Sequence, residues 1–364
     1  YRVPENLPET LGELIEYGYT SRTVKEEIRS NLVQRISDGS EVFPGIVGFD
    51  DSVIPQIQNA ILAGQDIILL GERGQAKSRI IRLLVDLLDE YIPFVKGSEI
   101  NDDPLDPISQ YGIEALSADK KNTKIDWLPK EDRYAEKLAT PDVSVADLIG
   151  EIDPIKVAEG RYLSDTMAIH YGMIPPTNRG LFCINELPDL TERIQVSLFN
   201  LMQERDIQIK GHQVRLPLDM IIVATANPED YTNRGRIITP LKDRYGAQIR
   251  THYPSDVSQE MNIVTQEYKQ FSDSADLVKT PEFMKEIIGE ITHLARRSPE
   301  INQRSGVSLR VSISNFETLI GQAFRRSLAN YSVSSPRISD LPYLIASTIG
   351  KIELETVEEG LETK

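Results

Sequence analysis

The apolar positions of this chain fall into three regimes. From residue 8 to 36 they recur at helical spacing: Leu11, Leu14, Ile15 and Tyr19, then Val24, Ile28, Leu32 and Ile36, with Glu13 and Glu16 on the polar side. Two packing helices are predicted there. Between 43 and 254, short continuous apolar runs alternate with helical spacing. Residues 66–70, 180–186 and 220–228 have strand length, and the near-continuous apolar character of parallel strands buried on both faces. Helices are expected at about 51–63, 78–88 and 191–204, with a short one at 240–245. Residues 206–216 alternate around Lys210 and Gly211, which predicts a β-hairpin with His212 near its tip. From 255 to 348 the period is helical again. Phe283, Ile287, Ile288, Ile291 and Leu294 form one expected core stripe, and Phe316, Leu319, Ile320 and Phe324 another. Residues 97–178 are irregular but too long to be a structureless loop, so a strand and short helical insertions are expected, one of them at 143–150.

Composition narrows the class without naming it. The 364 residues, 40% hydrophobic and 26% charged, suit a soluble protein of two or three domains. No run reaches the roughly 18 apolar residues of a membrane span, and the opening Tyr-Arg-Val-Pro-Glu-Asn is not a signal peptide and lacks an initiator Met, as in a trimmed chain. One cysteine, Cys183, excludes an internal disulfide or a multi-cysteine zinc site and fits a cytoplasmic protein. A net charge of -16 repels a phosphate backbone and makes nucleic acid an unlikely partner.

The chemistry concentrates where the first strand ends. Residues 71–78 read Gly-Glu-Arg-Gly-Gln-Ala-Lys-Ser between that strand and an apolar-periodic helix, the order of a phosphate-binding loop. Its backbone N–H groups and the helix start suit phosphate oxygens. Gly71, Glu72, Arg73, Gly74, Gln75 and Ala76 would form the cradle, Lys77 would reach the β- and γ-phosphates, and Ser78 would coordinate Mg²⁺. Ala76 stands where the pattern has a final Gly, and its methyl fits if φ there is negative. At the end of the second run, Glu186 sits where the base that orients the attacking water is needed, and Asn185 where the metal-linked carboxylate normally stands. At the end of the third, Asn227 either orients that water or simply forms a turn before Pro228.

Taken in order, GERGQAKS at 71–78, GLFCINE at 180–186, ATANPEDY at 224–231, LKDRY at 241–245 and SLRVS at 308–312 resemble the AAA+ ATPases, within them the magnesium chelatase ATPase-subunit and MoxR group. The phrase GMIPPTNRG at 172–180 adds to the likeness, which covers roughly residues 43–325. The resemblance implies an α/β class, with an AAA+ P-loop parallel-sheet core carrying a β-hairpin insertion, followed by a smaller all-α lid. The corresponding boundaries are 1–42 for an N-terminal helical segment, 43–254 for the core, and 255–364 for the lid with its acidic tail. It implies Glu186 as catalytic base, Asn227 as sensor 1, Arg310 as sensor 2, and Arg244 as the arginine given to a neighbouring subunit, with Arg236 as its rival. ATP and Mg²⁺ would be bound, with Ser78 and Asn185 at the metal. The hairpin at 206–216 would be the insertion before sensor 1, and residues 141–160 the insertion in helix 2. The expected assembly is a homo-oligomeric ring, most simply a hexamer, acting on a partner with a von Willebrand factor A domain. Its work would be remodelling of a protein complex or metal insertion into a tetrapyrrole. A scaffold with little turnover is the alternative that Asn185 supports. A DNA-dependent activator is disfavoured by the acidic charge and by the absence of a Gly-Ala-Phe-Thr-Gly-Ala loop.

Overall fold

The computed structural model describes residues 7–152, 169–204, 206–209, 212–232, 236–269, 271–302 and 306–354. Residues 153–160 of the expected helix 2 insertion, the hairpin turn at 210–211 and most of the acidic tail lie outside them. The chain divides into two compact units.

The first unit comprises Tyr1–Pro44, Ser52–Leu70 and Lys77–Arg250. Its centre is a five-stranded sheet of β1 (Ile67–Leu70), β2 (Tyr134–Leu138), β3 (Gly180–Asn185), β4 (Met220–Ala226) and β5 (Ala247–Arg250), in the order β5-β1-β4-β3-β2. All neighbouring pairs are parallel. The three apolar runs read from the sequence are its three central strands, buried along almost their whole length. β2 escaped the sequence reading: its Tyr-Ala-Glu-Lys-Leu is half-buried and polar, as an edge strand allows. The hairpin is present, with strands Asp206–Ile209 and His212–Arg215 in antiparallel register and His212 opposite Ile209. Residues 143–150 include a one-turn helix, Val145–Leu148.

Both N-terminal helices form: α1 (Leu11–Tyr17) and α2 (Val24–Ser37). Leu11, Leu14, Val24, Ile28 and Leu32 are buried as expected, but Ile15 and Ile36 are about half exposed because each stripe reaches past the surface it covers. α2 is attached by more than apolar contact. Glu27 and Arg133, both buried, form a two-pronged ion pair with both distances 2.7 Å, and Arg133 Nε donates to the Arg179 carbonyl at 2.8 Å. Removing one partner strands a charge without water. Glu27→Ala is therefore expected to lower unfolding stability by about 3–5 kcal/mol, read from urea titration. A loss below about 1 kcal/mol, the range of an exposed pair, contradicts this account.

The second unit comprises Gly45–Asp51, Gly71–Ala76 and Thr251–Lys364. Its helices include α3 (Val257–Glu267), α4 (Glu282–Arg297) and α5 (Arg310–Asn330). Their core holds Met261, Val264, Met284, Ile288, Phe316, Leu319, Ile320 and Leu344. The α5 stripe is as expected, with Phe324 at its half-buried margin. The α4 stripe is corrected: Phe283 and Leu294 are 49% and 61% exposed, while Met284, Ile288, Thr292, His293 and Ala295 are buried. The polar members are buried because Glu260, fully enclosed on α3, gathers them. Arg296 Nη1 is 2.6 Å and His293 Nε2 2.9 Å from its carboxylate, which also accepts from Ser312, and Ser312 bonds Thr292 at 2.6 Å. No helix among the described residues is long and apolar enough to cross a membrane.

Candidate nucleotide site

β1 runs out at Leu70, and the next six residues, Gly71–Ala76, pack with the second unit. Side-chain-free positions are required there. A Cβ on Gly71 would lie 1.8 Å from Thr251 Oγ1, and one on Gly74, where φ is +78°, would lie 2.1 Å from Ser308 Oγ. Gln75 is buried, and its amide oxygen accepts from the Glu72 N–H at 3.1 Å and from the Thr251 hydroxyl at 2.7 Å. Tyr253 donates its hydroxyl to the Arg73 carbonyl at 2.9 Å. The side chain of Gln75 thus braces the loop, tying its Glu72 N–H to Thr251. Ala76 does not have the negative φ that its methyl was expected to need. Its φ is +56°, a left-handed turn into the following helix that costs an alanine about 1–2 kcal/mol. The same unit carries Arg310, the exposed first residue of α5, whose N–H donates to Ser308 Oγ at 3.2 Å. Loop and Arg310 are brought together through Ser308, which meets both Gly74 and the start of α5.

In the first unit, Lys77 and Ser78 open the helix Lys77–Leu83, with Lys77 buried and Ser78 exposed. Across the sheet, Leu70 of β1 pairs with Ala226 of β4, and Ala224 with Ile184 of β3. The carboxyl ends of the three central strands therefore lie side by side, and Asn185, Glu186 and Asn227 follow directly from two of them. Glu186 adopts a left-handed backbone, φ 58° and ψ 49°. Such a conformation is rare for a residue with a side chain and concentrates at functional turns. Its N–H donates to Thr225 Oγ1 at 3.1 Å, and Thr225 donates to the Asn185 amide oxygen at 3.3 Å. Thr225 was quoted within the third motif but given no role; its hydroxyl ties the end of β4 to the end of β3. Asn227 does form a turn, its amide oxygen accepting from the Glu229 N–H at 3.3 Å. Cys183 is fully buried, and burial pushes its thiol up to about 12, so it stays protonated and unreactive.

Of the two rival arginines, Arg244 sits apart from this edge, whereas Arg236 pairs with acids on the segments that leave it. Arg244, which looked exposed in sequence, is 33% exposed and pairs through Nη1 with Asp66 at 3.2 Å. Asp66 immediately precedes β1, so Arg244 lies at the amino end of the sheet, away from Lys77 and Glu186. Arg236 is half exposed and pairs with Asp230 at 2.9 Å and Asp189 at 3.7 Å.

The residues present fit a magnesium nucleotide. Ser78 and Asn185 carry hard oxygens of the kind that suits Mg²⁺. Neither oxygen is charged, so phosphate would supply the anionic ligands. No cluster of three or more His, Cys, Asp or Glu able to hold a metal occurs among the described residues.

Residues 158–243 match the family model of the Sigma-54 interaction domain. The magnesium-chelatase subunit ChlI of Nostoc sp. is 26% identical over 284 residues, 75% of this chain and 70% of that protein. That of Mesostigma viride is 27% identical over 62% of this chain and 61% of its own length. A ChlI homologue of Methanocaldococcus jannaschii is 29% identical over 61% of this chain and 58% of its own length. Among solved structures, a magnesium chelatase BchI–BchD complex aligns at 20% identity over 87% of this chain and 97% of the matched chain, with a TM-score of 0.44.

Proposed function

We propose that this chain, an AAA+ protein related to the magnesium-chelatase ATPase subunits, hydrolyses ATP as one subunit of a homo-oligomeric ring and passes the work to a protein partner. The observation that carries this reading is the turn at Glu186, a carboxylate on a left-handed backbone at the end of a buried parallel strand. Its strained backbone is held by Thr225, next to the strand that leads into the phosphate loop. The chain's own residues divide the labour. The 71–76 loop and Lys77 hold the phosphates, and Ser78 and Asn185 hold Mg²⁺, which screens phosphate charge. Glu186 takes the proton of the attacking water, with Asn227 orienting that water. Arg310 couples the helical unit to the nucleotide, and Arg244 serves the neighbouring subunit. A hexameric ring and a von Willebrand factor A partner follow from the family resemblance. The relatives favour a chelatase-type client, and MoxR-like remodelling of a protein complex is the second line of work.

Asn185 favours a different reading, a nucleotide-gated scaffold. Its neutral amide gives weaker support to Mg²⁺ than a carboxylate would. Steady-state phosphate release from Mg-ATP, with oligomer mass followed in the same samples, separates the two. A motor releases phosphate, and Lys77→Ala reduces that release to background. Assembly with ATP but no release, with or without a partner protein, would establish the scaffold.

A further inference from the structure

Asp66 is 4% exposed, and a carboxylate that deep needs compensation. Two cations provide it. Lys25 Nζ, from α2, lies 2.9 Å from Oδ1, and Arg244 Nη1 lies 3.2 Å from Oδ2. The arginine is gripped at one corner only. Oδ2 receives no aligned hydrogen bond, and Arg244 Nε is buried without a hydrogen-bond partner. A two-pronged Arg–carboxylate fork would have committed the whole guanidinium. The triad holds two positive charges against one negative, so Asp66 fixes the place of Arg244 without cancelling its charge. A cavity of about 220 Å³ opens on the same residues, lined by Lys25, Asp66, Asp219 and Arg244 among others.

We propose that Asp66 is the positioning residue for Arg244, holding the guanidinium at the amino end of the sheet, the place from which it would reach the phosphate of a neighbouring subunit's ATP. This rests on the reading of Arg244 given above. The nucleotide of the same subunit is not the target, since β1 separates Asp66 from the phosphate loop.

The test compares phosphate release by wild type, Arg244→Ala, Asp66→Asn and the double variant Asp66→Asn/Lys25→Met. Binding of a fluorescent ATP analogue and thermal unfolding are followed for each. Asp66→Asn is expected to lower kcat by roughly 10²-fold, the scale of a misplaced catalytic group, with KM and analogue affinity unchanged. Subunits carrying Asp66→Asn with Lys77→Ala, mixed into wild-type rings, are expected to depress turnover more than Lys77→Ala subunits alone, because the defect is delivered to a neighbour. A folded Asp66→Asn protein with wild-type kcat, where Arg244→Ala has lost turnover, overturns the role of Asp66 and leaves Arg244 standing. Wild-type kcat in Arg244→Ala removes the reading of Arg244 and this role with it. If Asp66→Asn alone does not fold, the double variant, which also removes the unbalanced lysine, makes the same comparison. Wild-type kcat in it is equally overturning.

Discussion

Replacing Glu186 by Gln is expected to reduce phosphate release by about 10²–10⁴-fold, the contribution of a positioned general base, while ATP binding is retained. Gln has the size of Glu and keeps the amide N–H that bonds Thr225, so the left-handed turn survives. What it loses is the ability to accept a proton from water. The Thr225–Asn185 bond lies on the backbone side of this turn and is also untouched. The distinguishing measurement pairs steady-state phosphate release with equilibrium binding of ATP. Lost turnover with kept affinity is the signature of a base. Unchanged turnover would remove Glu186 from the chemistry, and lost affinity would mean that it supports the binding loop instead.

Arg244→Ala is expected to cost about 10³–10⁵-fold in turnover, the range for an arginine that neutralises charge at the γ-phosphate. The place of Arg244 in the sheet dictates how the loss should appear. Ala247 pairs with Ile67 at the start of β1, and the strand then runs four residues to Leu70. At about 3.3 Å per residue that is roughly 13 Å of strand before the phosphate loop begins. On the function proposed above, an arginine at the amino end is expected to serve a second subunit, not its own. Arg244→Ala subunits titrated into wild-type rings should therefore lower the activity of intact neighbours, giving a loss steeper than simple dilution. A linear fall with the mutant fraction would mean that Arg244 acts within its own subunit or only supports the fold. Arg236, already committed to Asp230 and Asp189 on the surface, is expected to matter less in the same titration.

How much of this was legible depended on how local the signal was. The strand, glycine loop and Lys-Ser order at 66–78, the second strand ending at Asn185 and Glu186, and the third ending at Asn227 are neighbours in the chain, and all stand where the spacing predicted. The edge strand β2 was missed because one exposed side dilutes its apolar pattern. The α4 stripe was misread for a different reason. Period counting assigns burial to apolar residues, whereas Thr292 and His293 are buried by a carboxylate on another helix, Glu260. A buried polar network is invisible to a hydrophobicity pattern.

Ala76 and Asp66 mark the boundary between the two kinds of information. Sequence by itself determined the order of elements and the class of the sheet, and singled out the short segments proposed to carry phosphate chemistry, because backbone propensity and periodicity act over a few residues. It could not set the sign of φ at Ala76, which the closing of the loop imposes against the preference of the residue. Nor could it place Asp66 between Lys25 and Arg244, or join Glu27 to Arg133, since those partners are far apart in the chain. Such pairs exist only once burial has removed water and made an unpaired charge costly. That selection acts on the folded molecule, and only the tertiary structure reveals its result.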